Sequence, residues 1–291
     1  MGTDAISPLR QRMIEDMSAR QLSPPTQKSH IRACKRFAAF LKRPPETATA
    51  DDIRRFQLHL AESAMTICHR NRTMTGLKFL FRVTLRRLDL AAEIYHIKEP
   101  QKIPLVMSPD ETKRLLAVAK TLKARVLFAL GYGCGLRASE VVRLRVGDID
   151  SAQGIIRVVQ SKGRKDRNVM LSPHLLDLLR AWWKAARPQG WLFPGRDPVQ
   201  PMTTRQLNRA CHAAAQLAEI NKRVSLHTLR HSFATHLLEQ NTDIRVIQVL
   251  LGHAKLENTA LYTRVATKTI SEVVSPLEHI AVKLKEIRPP T

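Results

Sequence analysis

Ser225-Leu226-His227-Thr228-Leu229-Arg230-His231-Ser232-Phe233-Ala234-Thr235-His236 is the stretch on which the reading of this chain turns. Ser225 is an N-cap residue, so a helix starts here, and His227 and Arg230, three apart, share one face near its first turn. Free backbone N–H groups and a forked guanidinium at one place favour an anion, above all a phosphate. A metal site is the rival reading, because His227 and His231 have i,i+4 spacing. Zinc hydrolases with that spacing put Glu directly after the first His, where this chain has Thr228, and Arg230 would oppose a cation. No metal is therefore expected.

Working outward, Thr242/Asp243 to Leu251 reads as a helix closed by Gly252 as a left-handed C-cap, with His253 projecting from the turn. Asn258 is expected to cap a further helix that carries Tyr262 about one turn in. Upstream, Gly135-Leu136-Arg137-Ala138-Ser139-Glu140 starts a helix after a glycine turn. Ile155–Val159 is rich in β-branched residues and reads as a strand, with Asn168–Leu171 as its return. The tip between them, Ser161-Lys162-Gly163-Arg164-Lys165-Asp166-Arg167, is a basic hairpin suited to phosphate contacts. Each segment alone is commonplace.

Taken in order as Arg, Lys, His-x-x-Arg, Gly-His and Tyr, they make the chain resemble the tyrosine recombinase (phage integrase-like) family. The motifs match over residues ~105–275, and residues 1–100 resemble the family's helical DNA-clamping domain in character. The resemblance implies a site-specific recombinase that cleaves and rejoins DNA through a 3′-phosphotyrosyl intermediate, without metal, ATP or other cofactor. Tyr262 would be the nucleophile, and Arg137 and Arg230 would clamp the non-bridging oxygens. Lys162 would protonate the leaving 5′-oxygen. His227 would assist proton transfer to or from Tyr262, His253 would donate a hydrogen bond to the phosphate, and Glu140, one turn after Arg137, would orient the site. A tyrosine at its ordinary pKa is a poor nucleophile at neutral pH, so cationic neighbours must lower it or a base must help.

Composition agrees with a polyanion partner. The 291 residues hold 48 Lys+Arg against 25 Asp+Glu, a formal net charge of +23. A hydrophobic fraction of 44% excludes a disordered chain, and no run of ~18 apolar residues suggests a membrane span. Met1–Arg10 lacks the apolar core of a secretory leader, so a cytoplasmic protein, at the bacterial nucleoid while acting, is expected. Cys34, Cys68, Cys134 and Cys211 are widely spaced, with no C-x-x-C pair, and read as reduced thiols. Residues 1–100 carry 18 Lys+Arg against 10 Asp+Glu and the remainder 30 against 15, so both parts are placed on double-stranded DNA.

The fold class expected is mainly α with a small antiparallel β-hairpin or sheet. Residues 1–100 form an all-α domain of the SAM-like, core-binding kind that the resemblance implies, 101–107 a linker within the stretch that holds Pro100, Pro104 and Pro109, and 108–291 an α+β catalytic domain. In the first domain, apolar residues at helical spacing mark helices around Leu9–Met17, Ile31–Leu41, Ile53–Leu60 and a fourth running through Leu77 to Leu88. Arg72, Lys78 and Arg82 on that fourth helix are candidate DNA contacts, together with Arg164, Lys165 and Arg167 of the hairpin.

After Tyr262, Ile270, Val273, Val274, Leu277, Ile280 and Leu284 form an apolar stripe. The resemblance implies that this segment docks on a neighbouring protomer, building a homotetramer on two DNA sites; packing on its own domain is the other reading. Integration, transposition of a mobile element and dimer resolution all remain open roles. Two other functions share parts of the pattern. A non-catalytic DNA-binding protein shares the charge but has no need of Tyr262, and a type IB topoisomerase-like relaxing enzyme shares the chemical step.

Overall fold

The computed structural model describes residues 7–100, 103–159 and 166–264. Lys162, Arg164, Lys165 and the apolar stripe from Ile270 to Leu284 lie outside the described residues. The fold is mostly helical with one small antiparallel sheet, as expected. The chain divides into two compact units, Met1–Gln101 and Lys102–Thr291.

The first unit is built from helices whose starts are written locally. Helix α1 (Pro8–Ala19) has Ser7 as N-cap and Pro8 in its first turn. Helix α2 (Pro24–Leu41) opens on Pro24-Pro25 and closes at Lys42 in the left-handed region. Helix α3 (Ala50–Glu62) begins with a reciprocal capping box between Thr49 and Asp52. Helix α4 (Ile67–Phe79) is capped by Thr66 and lies directly on α2. Gly76 permits that approach, since a Cβ there would stand 2.7 Å from the Ala33 Cβ. Met13, Met17, Phe37, Ile53, Phe56, Leu77 and Phe81 fill the core. Phe37 meets Phe56 and Phe81 edge-on at 5.0 and 5.9 Å, and each such buried ring contributes roughly 1.5–3 kcal/mol.

The fourth helix expected to reach Leu88 is interrupted. It passes into a π-helical turn at Leu80–Thr84, and Arg86 is left-handed at φ 55°. Helix α5 (Leu88–Ala92) then starts afresh. The wide turn lets consecutive Leu80 and Phe81 both face the core, whereas Leu88 is left 64% exposed.

In the second unit, helix α6 (Pro109–Ala117) carries the capping box Ser108/Glu111, and α7 (Leu122–Gly133) runs through the core. The short α8 (Ala138–Val142) follows the left-handed Gly135. Strands β1 (Ile149–Asp150), β2 (Ile155–Val158) and β3 (Arg167–Met170) form the sheet in the order β1-β2-β3. The two-residue β1 has too little pattern to be read from sequence. Ile156 faces Val169, and Ile156, Val158 and Val169 turn inward.

Helices α9 (Pro173–Ala186), α10 (Thr204–Leu217), α11 (Leu226–Glu239), α12 (Ile244–Leu251) and α13 (Glu257–Ala260) complete the unit. A 3-10 turn at Leu261–Arg264 ends the described chain. Asn258 sits inside α13 and not at its cap. Met107, at the end of the expected linker, is fully buried in the second core. Its N–H donates to Ser232 Oγ at 2.9 Å, and its carbonyl lies 3.0 Å from His236 Nε2.

Candidate active site

The C-terminal end of α12 organises the site. The last carbonyls of any helix lack intrahelical donors and carry the negative end of its dipole. Here three consecutive carbonyls each meet a different guanidinium. Leu250 O accepts from Arg167 Nε at 2.8 Å, Leu251 O from Arg230 Nη2 at 2.6 Å, and Gly252 O from Arg137 Nη2 at 3.4 Å. Gly252, left-handed at φ 62°, turns the chain so that His253 follows directly.

Glu140 is the counter-charge. Its side chain is 4% exposed and accepts from Arg167 at both oxygens, 2.9 and 2.8 Å. It also accepts from the Arg137 guanidinium at 2.7 Å and from the Arg137 backbone N–H at 2.8 Å. Burial alone would push this carboxyl up, but hydrogen bonds and charge from Arg167, then from Arg137, hold it at about 2. Arg230 is buried and also donates to Gly135 O at 2.6 Å. Burial, then the Arg137 charge, lower it to about 10, so it stays cationic at neutral pH. Three guanidiniums against one carboxylate leave two surplus positive charges at this point.

Tyr262 is 3% exposed. Its ring stacks on His253 at 6.3 Å and 12°, and its hydroxyl lies 3.0 Å from His231 Nδ1. His253 Nε2 is 3.2 Å from Arg230 Nη2, and its Nδ1 is 2.9 Å from Thr259 Oγ1. A guanidinium only donates, so His253 Nε2 accepts. Burial, then Arg230 and Arg137, push His253 down to about 4. Burial, then His227 and Arg230, push His231 down to about 4. Both inner histidines are therefore neutral at pH 7. Burial raises Tyr262 despite the arginines that oppose it, so the cations alone do not activate this phenol.

Arg137, Glu140, Arg230, His253 and Tyr262 thus converge as the sequence pattern leads one to expect. His227 stands one step out. It is exposed, and its ring meets His231 edge-on at 6.1 Å. The partner of the Tyr262 hydroxyl is His231, which sequence reasoning weighed only as a metal ligand. Among the described residues no group of three His, Cys, Asp or Glu could hold a metal ion. His253, expected to donate to a phosphate, presents an accepting Nε2 to Arg230 instead. Arg167, expected on DNA, is buried against Glu140, with a side chain 7% exposed.

In the first unit, α2 and α4 enclose a groove of about 770 Å³ whose walls include Lys28, Arg32, Arg36 and Arg72. Arg72 was expected to contact DNA. Lys28, Arg32 and Arg36 were missed, although their i,i+4,i+8 spacing on α2 is a legible stripe. Lys78 is half-buried, with its amine 3.4 Å from Ile94 O, and Arg82 is exposed on the π turn, away from this groove.

A helical unit, a second unit with a three-stranded sheet, and a tyrosine set among arginines and histidines define a class of DNA strand-transfer enzyme. The Phage integrase family matches residues 106–269, and the phage integrase N-terminal SAM-like domain matches residues 9–88. The chain belongs to the phage integrase family, the tyrosine recombinases, which cleave and rejoin DNA.

A Sinorhizobium fredii protein named as an integrase/recombinase, y4qK, is 43% identical over 275 residues, 94% of this chain and 89% of its own. Tyrosine recombinase XerA of Pyrococcus horikoshii is 34% identical over 233 residues, 78% of this chain and 79% of its own. Among solved structures, lambda integrase (75–356) bound to a core site superposes with a TM-score of 0.71 at 17% identity. That match covers 87% of this chain and 93% of the other, and it shows the shared fold. No helix among the described residues is long and apolar enough to cross a membrane.

Proposed function

We propose that this recombinase cuts one DNA strand by attack of Tyr262 on a phosphodiester. The product is a 3′-phosphotyrosyl link and a free 5′-hydroxyl. Arg137 and Arg230 hold the non-bridging oxygens, and Lys162 protonates the departing 5′-oxygen. His227 assists proton transfer to or from Tyr262, and His253 steadies Arg230, whose Nη2 lies 3.2 Å from its Nε2. The link conserves the energy of the broken bond, so rejoining requires neither ATP nor metal on this reading. The observation that carries it is the position of His253, whose ring stacks on Tyr262 while its Nε2 lies 3.2 Å from Arg230. A nucleophile is thereby held beside a cationic clamp, the arrangement that stabilises charge growing on a phosphorane-like transition state.

Double-stranded DNA is the substrate. The α2/α4 groove with Arg72, the exposed Arg82, and the hairpin residues Arg164 and Lys165 are assigned to its backbone. The functional assembly is a homotetramer on two sites joined through the apolar segment Ile270–Leu284, a role supported by its sequence pattern alone. Insertion of a mobile element is the favoured biological role, in line with the integrase/recombinase name of the Sinorhizobium relative.

Nicked duplexes tiling the DNA that flanks the gene test the chemistry. Wild type is expected to form a covalent protein–DNA band at one site, and Tyr262→Phe to bind that site but form none. Arg230→Ala should slow cleavage by about 10²–10³-fold, as loss of one charge-stabilising donor does elsewhere. An unchanged rate in Arg230→Ala, or a persisting band in Tyr262→Phe, refutes the assignment.

A further inference from the structure

We infer that Arg167 is a positioning residue: it binds no DNA phosphate itself, and it aligns Arg137 by fixing both groups to which Arg137 is tied, Glu140 and the carbonyl end of α12. The inference rests on the reading of Arg137 and Arg230 as the phosphate clamp.

The strand explains why the side chain points inward. Arg167 opens β3 and pairs with Val158. Side chains alternate across a sheet, so Arg167 shares the face of the buried Val169. A guanidinium on that face must find acceptors there, because a buried charge without partners is costly. It finds three. Nη1 donates to Glu140 Oε1 at 2.9 Å, Nη2 to Oε2 at 2.8 Å, and Nε to Leu250 O at 2.8 Å. Three nitrogens of one rigid plane are engaged at once, which fixes the plane and with it the carboxylate.

Arg137 depends on the same two anchors. Its Nη1 donates to Glu140 at 2.7 Å, and its Nη2 reaches Gly252 O at 3.4 Å. Its side chain is 18% exposed against 7% for Arg167, so Arg137 is the one with a face open to a ligand. Arg230 stands 3.9 Å from Glu140. Among the described residues, Arg167 is therefore the bridge between Glu140 and α12 that is short at both ends. Gly252 leaves room for it, since a Cβ there would stand 2.9 Å from Arg167 Cδ. The bridge also steadies the next carbonyl, Leu251 O, which holds Arg230. Without Arg167, both the carboxylate and the end of α12 are free to shift, and the two clamp arginines shift with them.

The test uses the full chain and the nicked duplex that gives a covalent band. Arg167→Lys keeps the charge but carries its donors on one atom, so it cannot grip both carboxylate oxygens and Leu250 O together. At saturating protein and well below its melting temperature, it should cleave about 10–100-fold more slowly, with DNA affinity within about twofold of wild type. Arg167→Met should leave the slope of log affinity against log salt unchanged. A phosphate contact predicts a fall of about 0.9 in that slope. That fall, or cleavage by Arg167→Lys at the wild-type rate, would overturn the inference. A methylphosphonate at the scissile position removes the charge of one non-bridging oxygen and so relaxes the need for two aligned arginines. The lead of wild type over Arg167→Lys should shrink on this substrate; an undiminished lead refutes the link to the clamp. A further measurement does not depend on cleavage. Against burial, Arg167 is the foremost of the groups that hold Glu140 at about 2. The loss of melting temperature at low pH should therefore be smaller in Arg167→Met, and in Arg167→Lys if the methionine variant does not fold. A loss equal to that of wild type refutes the bridge whatever the activity. No covalent band with wild type, beside the smaller low-pH loss, would sink the recombination chemistry and leave the bridge standing.

Discussion

Glu140 sits where three guanidinium groups would otherwise repel one another, and its charge state governs whether the site holds together. Its carboxyl lies at about 2 when folded, against an ordinary 4.5. The stabilisation is therefore fully present above pH 4.5 and is lost as pH falls toward 2, by about 3 kcal/mol in all. His231 and His253 act at higher pH. Both lie at about 4 when folded, against 6.5. The unfolded chain takes up their protons first, so stability falls from pH 6.5 to 4. Melting temperatures of the DNA-free protein should thus decline in two stages, the first between pH 6.5 and 4 and the second below 4.5. His231→Phe should shrink the first stage to the part His253 contributes and leave the second. Glu140→Gln should unfold more readily at pH 7, by about 3–5 kcal/mol, because it leaves buried arginines without their counter-charge. A Glu140→Gln melting temperature equal to wild type would contradict the role given to this carboxylate.

At the level of elements, what was legible in the sequence was local. Ser7, Thr49, Ser108 and Ser225 cap helices as written, and Gly252 ends α12 in the left-handed conformation that its position demanded. Interactions spanning long stretches of chain were not legible. Arg167 was read as a hairpin-tip residue on DNA because its partners, Glu140 and Leu250, are 27 and 83 residues away. The His231–Tyr262 contact spans 31 residues, and nothing in either segment announces it. The π turn at Leu80–Thr84 escaped because apolar residues on both sides of it still recur at helical spacing. Gly252 joins the local and the distant. A Cβ there would stand 2.9 Å from Arg167 Cδ, and the residue's φ of 62° disfavours any side chain. Gly252→Ala should therefore cost about 1–2 kcal/mol in backbone conformation and also displace Arg167 from Leu250 and Glu140. Cleavage should fall more than stability predicts. A variant that melts a few degrees lower yet cleaves at the wild-type rate would show that the end of α12 tolerates movement.

Across the whole molecule, the net charge of +23 divides into two kinds of work. Arg137, Arg167 and Arg230 are committed to Glu140 and to the end of α12, and on the function proposed above Arg137 and Arg230 serve one phosphate there. Lys28, Arg32 and Arg36 line the α2/α4 groove of the first unit, where Lys28 and Arg32 are exposed. Their contribution should be of the non-specific, counterion-releasing kind. Each phosphate contact adds about 0.9 to the slope of log affinity against log salt. Replacing all three residues by alanine should then reduce that slope by up to about 3 and weaken binding most at low salt. The chemical step on DNA already bound should continue near the wild-type rate, because none of the three lies in the unit that carries Tyr262. Fluorescence anisotropy across a salt series, paired with single-turnover cleavage at saturating protein, separates the two effects. An unchanged slope would remove the groove from the DNA interface. A lost chemical step with intact affinity would mean that the first unit does more than hold the duplex.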